Sequence, residues 1–148
     1  MRKILSIVVI TGMLSMLFGC DAKMLGMPKH KSKECYYGEG FRDYTDYCKY
    51  IYDEKSIAKF ENHAKFKEVE ETDIEFIKTH FVVFEDWIKD EEFYDKYDFD
   101  YLSQIKLGDY FYIYNKNGND VFSDDDINYD VYYVDMSKCI LYFIHLNT

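Results

Sequence analysis

Four cysteines (Cys20, Cys35, Cys48 and Cys139) and four histidines (His30, His63, His80 and His145) are the side chains of this 148-residue chain best suited to nucleophilic, redox or metal chemistry. Their spacing offers little catalysis. Cys139 and His145 sit six residues apart in one extended segment, so about 20 Å separates their backbones and they form no thiolate–imidazole dyad. His80 lies inside an amphipathic run and reads as a core or boundary histidine, whereas His63 has no recognisable partner and His30 falls in a basic stretch. No spacing brings them to a zinc ion. The sequence has no Gly-x-Ser-x-Gly, no His-Glu-x-x-His and no glycine-rich phosphate loop. We assign no catalytic residue, metal or cofactor. The oxygen-rich stretch from Asn115 to Asp126, with Asn117-Gly118 and the run Asp124-Asp125-Asp126, is the one loop of a kind that calcium favours. Aligned on Gly118, however, the first ligand position of an EF-hand falls on Ile113, which cannot coordinate.

The chain begins with basic Arg2 and Lys3, followed by 16 uncharged residues from Ile4 to Gly19. That stretch is shorter than the roughly 20 residues a helix needs to cross hydrocarbon, and its order is that of a secretory leader. Leu17-Phe18-Gly19-Cys20 closes it. This tetrapeptide resembles the lipobox of bacterial lipoproteins, with Phe18 larger than the residue usual at its place. The resemblance implies a signal peptide over residues 1–19, cleavage after Gly19 and acylation of Cys20, hence a lipid anchor on the extracytoplasmic side of the cell membrane. Asp21 resembles the signal that retains Gram-negative lipoproteins on the inner membrane. The resemblance covers the first 20 residues only.

Export places the other cysteines where disulfides persist. Cys35 and Cys48 would close a 14-residue loop, a bridge that contributes about 3 kcal/mol in a chain-entropy account. Pairing of either with Cys139, or no bridge, stays open.

Residues 20–33 carry the lipidated cysteine and four lysines, hold Pro28 and show no sustained period, so they read as a flexible basic tether. Charge divides sharply along the chain. Residues 21–67 hold ten basic and eight acidic side chains, and residues 68–148 hold six and twenty. A basic stalk would rest against anionic lipid while the acidic remainder is pushed outward, and phosphate backbones would be repelled, which excludes nucleic acid as a partner.

The body, residues 34–148, is one domain in length. Leu, Ile, Val and Phe number 32 among residues 20–148, about a quarter and enough for a core. Tyr47–Tyr52 is aromatic and β-rich, and Ser56 is placed to cap a short helix over Ile57 and Phe60. Thr72 and Glu75 have the spacing of a capping box. Behind them Ile74, Ile77, Phe81, Phe84 and Ile88 form the stripe of an amphipathic helix, widened by Phe76, Val83 and Trp87 into a heavily buried one that runs to about Lys89. After it the period becomes two. Phe111 and Ile113 point one way and the tyrosines at 110, 112 and 114 the other. Tyr129–Val134 and Cys139–Leu146 read as a hairpin around Asp135–Lys138, and the last strand, apolar on both faces, belongs at the centre or under the helix.

The expectation is an α+β domain, a small antiparallel meander packed against one main helix. Its function reads as non-catalytic: a membrane-anchored interaction module of the cell envelope whose acidic half meets a basic protein partner. An envelope hydrolase using acids such as Asp124–Asp126, or a purely structural lipoprotein, are the alternatives. A deep pocket holding a carboxyl of raised pKa would favour the enzyme, and a flat tyrosine-lined sheet would favour binding. The 16 tyrosines suit a binding face, although an AT-rich genome encodes such abundance by drift, the simpler reading.

Overall fold

The computed structural model describes residues 26–38, 44–116 and 127–148. The stretch expected as a leader with Cys20, the turn expected at Asn117-Gly118 and the residues Asp124–Asp126 lie outside the described residues. Six strands form one sheet: β1 Ser32–Tyr37, β2 Tyr44–Ile51, β3 Lys67–Glu68, β4 Tyr110–Asn115, β5 Asn128–Asp135 and β6 Ile140–Asn147. Their spatial order is β1-β2-β6-β5-β4-β3 and every described pairing is antiparallel. The helices are short α1 Glu54–Ile57, long α2 Glu71–Ile88 and short α3 Tyr101–Gln104. The fold is α+β, as expected.

Strands β4, β5 and β6 run as a meander. The hairpin of β1 and β2 then docks on the far side of β6, leaving β6 inside the sheet. The register explains why β6 is apolar on both faces. Tyr142, Ile144 and Leu146 join Ile77, Phe81, Phe84 and Ile88 of α2 in one core. Leu141 and Phe143 face the opposite way, into a second core closed by Ile57, Phe60 and Phe66. Alternation along the strand therefore supplies two cores from one sequence, and each large side chain so buried contributes roughly 1.5–3 kcal/mol. The same division holds in β4, where Phe111 enters the first core and Tyr110 and Tyr112 pack against the second.

Several local expectations shift. The cap of α1 is Asp53, whose carboxylate accepts the Ser56 amide at 2.7 Å, so Ser56 is the capped residue rather than the cap. Helix α2 has its cap at Glu70, two residues earlier than Thr72 and Glu75 suggested. Its capping box pairs Glu70 with Asp73, and Lys67 donates to Asp73 at 2.9 Å. The helix is also less buried than its sequence implied: Phe76 and Trp87 are 47% and 44% exposed. Cys139 falls outside β6, in the left-handed region at φ 57° in the turn that opens the hairpin. Asp135 closes that turn by accepting the Lys138 amide at 2.9 Å. Gly108, at φ 83°, makes the bend into β4 that a side chain would strain.

The stretch expected as tether is docked at its C-terminal end. Ser32 and Lys33 already belong to β1, the Lys31 amide donates to the Ile51 carbonyl at 2.7 Å, and Met27 packs on the second core. The His30 ring meets Tyr50 edge-on at 5.2 Å.

Candidate functional site

The disulfide candidates come together. Cys35 and Cys48 are register partners on β1 and β2, with Cα atoms 4.1 Å apart, and form a disulfide. Cys139 is free. It sits at the opposite end of β6 from His145, whose Nδ1 instead lies 2.6 Å from Asp130 Oδ1 on the neighbouring strand. His80 is fully buried, with Nδ1 2.8 Å from the Phe76 carbonyl, and burial lowers its pKa so that it stays neutral in the core. Among the described residues no group of His, Cys, Asp and Glu is placed to hold a metal ion, and no helix is long and apolar enough to cross a membrane.

A tyrosine-lined sheet does exist, but most of it is covered. Tyr50, Tyr52 and Tyr132 are at most 5% exposed beneath α1 and the turns that follow it. The tyrosines of the other face serve as buried struts: Tyr129 donates to the His80 carbonyl at 2.6 Å, and Tyr133 donates to Asp109. Burial pushes Tyr129 and Tyr133 well above the usual phenol range, so both remain donors.

The Asp109 carboxyl is held above its ordinary range, and it is not among the residues that line the cleft between α2 and the segment leading into α3. Burial raises it; the Tyr133 hydroxyl and the Met136 amide, at 3.0 Å from Oδ1, oppose that rise, and nearby Asp135 adds to it. Here the folded state holds the proton more tightly than the unfolded chain. The stability contribution is then complete below the unfolded value of 3.8 and is lost as pH climbs through the raised folded value. Asp109→Asn keeps an acceptor for Met136 and removes the charge. We expect its stability relative to wild type to improve between pH 4 and pH 7 in urea titrations. Asp109→Ala, which removes the acceptor of the Met136 amide and leaves the Tyr133 hydroxyl only the Gln104 carbonyl at 3.1 Å, should cost about 1–3 kcal/mol at both.

The open feature lies on the α2 side. Glu85, Tyr97, Asp98, Phe99, Asp100, Tyr101 and Leu102 line a cleft of about 370 Å³ between α2 and the segment leading into α3. Alternation builds it, because Phe99, 2% exposed, turns inward against Phe81 while Asp98 and Asp100 turn outward. Asp98 accepts from the Tyr47 hydroxyl at 2.6 Å and from Lys49 at 2.8 Å. Burial alone would raise its carboxyl, but these two donors outweigh it and hold Asp98 below the ordinary range. The Ser103 hydroxyl and the Leu102 amide do the same for Asp100, which caps α3. Glu85 accepts from Tyr94 at 3.3 Å. Fixed carboxylates beside the Tyr97 and Tyr101 rings suit an organic cation, the terminus of a lysine or arginine side chain. The sequence reading passed over this segment; its signal was the alternation Tyr97-Asp-Phe-Asp-Tyr101, too short to stand out from neighbouring acids.

No family model, curated protein or solved structure matches the chain.

Proposed function

We propose that this protein is a lipid-anchored, non-catalytic interaction module on the extracytoplasmic face of a bacterial membrane, and that its acidic side receives a basic protein partner. The observation that carries the reading is Leu17-Phe18-Gly19-Cys20 behind a basic-then-apolar leader. The Cys35–Cys48 bridge supports it independently, because reducing compartments keep such thiols apart. Residues 68–116, which include α2 and the cleft, hold fourteen acidic against five basic side chains, a field that steers cationic partners.

Two measurements test it. Intact mass of the membrane-extracted protein is expected to match residues 20–148 plus acyl chains, and Cys20→Ser should abolish both the added mass and the cut after Gly19. An unchanged mass and unchanged sedimentation with membranes would overturn the anchor. Binding of polylysine should weaken as salt rises, and Glu85→Gln with Asp98→Asn should reduce it about tenfold, equivalent to roughly 1.4 kcal/mol. Salt-independent binding would count against the acidic site.

A further inference from the structure

The chain leaves the domain on one particular side of the sheet. Met27 packs on the second core, His30 rests on Tyr50, and Gly26 lies beside the His63 ring. All of these belong to the face covered by α1, opposite α2. Around that exit stand Lys29, Lys31, Lys55, Lys59 and Lys65, all exposed. Lys31 and Lys59 both lie near Asp53, and Lys65 sits 5.8 Å over the Tyr112 ring. The acids on the same face are Asp53, Glu54, Glu61 and Glu68 near α1 and Asp46 and Asp130 at the far end of the strands, against the five lysines, Lys33 and Lys116, so this face is close to neutral with its lysines gathered at the exit, whereas the α2 side is strongly acidic.

From this placement we infer that the α1 face, through these five lysines, docks on the anionic surface of the bilayer that anchors the protein, turning α2 and the acidic cleft away from it. The inference rests on the lipid-anchor reading, and geometry adds a constraint to charge. Six residue steps separate Cys20 from Gly26, a reach of about 20 Å at full extension. A domain of this size is roughly 35 Å across, so a tether of that length cannot wrap round to bring the α2 side to the lipid. Charge and tether length therefore select the same face.

The test is lysine acylation footprinting of the processed full-length protein, read by peptide mass spectrometry. It is run on vesicles of phosphatidylcholine alone and of phosphatidylcholine with one-third phosphatidylglycerol. On the anionic vesicles Lys31, Lys55, Lys59 and Lys65 should react about threefold more slowly than on neutral ones, with Lys89 and Lys96 unchanged and the protection lost at high salt. Lys55→Glu with Lys59→Glu should remove the protection of Lys31 and Lys65 while the protein stays on the membrane. Equal reactivity on both vesicles, salt-resistant protection, or protection of Lys89 and Lys96 instead would overturn the inference. Intact mass taken on the same sample separates the two ideas. An unacylated Cys20 defeats the anchor reading, while the footprint on added vesicles still decides whether this face binds anionic lipid.

Discussion

Phe81→Ala is expected to remove about 3–5 kcal/mol of folding free energy, a large part of the total for a domain of this size. Phe81 is fully buried at the middle of α2 and packs on Phe99 with ring centroids 4.4 Å apart. Phe99 in turn meets Tyr142 at 4.5 Å and Tyr133 at 5.3 Å. Truncation therefore opens a cavity among rings anchored on three separate elements, and none can collapse far into it without breaking another contact. The acidic cleft should suffer too, since Phe99 lines it and holds Asp98 and Asp100 outward. Urea unfolding checks the magnitude, with Phe76→Ala as the control. Phe76 is 47% exposed on the same helix, and its loss should change stability by about 0.5 kcal/mol or less. Equal effects at the two positions would refute the placement of the helix.

Breaking the Cys35–Cys48 bridge should cost about 3 kcal/mol. The cost should fall first on β1, an edge strand paired only with β2. Reduction is the cleaner perturbation, because both sulfur atoms stay in place and only the cross-link changes. Urea midpoints measured with and without reductant give the total. Amide hydrogen exchange should show Glu34 to Tyr36 losing protection well before β5 and β6. Reductant should leave the Cys139→Ala variant's stability as sensitive as the wild type's, since Cys139 is free. Uniform loss across the whole sheet would mean that β1 folds only together with the remainder.

The elements most legible in the sequence were those whose period is set by contacts along one segment. The stripe Ile77, Phe81, Phe84 and Ile88, the alternation of β4 and the hairpin of β5 and β6 each announce a buried side through spacing alone. Helix starts were less legible because two capping arrangements overlap between Glu70 and Glu75. The arrangement that forms is the one in which Asp73 also meets Lys67, six residues before it in β3. The exposure of Phe76 and Trp87 was not legible either. A helical wheel marks them as apolar, but it cannot say how wide a surface the sheet offers on that flank.

By itself the sequence determined the α+β class, the elements around the last hairpin and the main helix, and the sharp division of charge along the chain. Each is a local or additive property, carried by residue types and their periods. Only the tertiary structure decided that β2 pairs with β6, that Cys35 stands opposite Cys48, that Asp98 meets Tyr47 and Lys49, and which face of the sheet the chain leaves by. These are contacts between residues far apart in the chain. Their loop-closure entropy is repaid only when both cores assemble together, and no short window of sequence contains that balance.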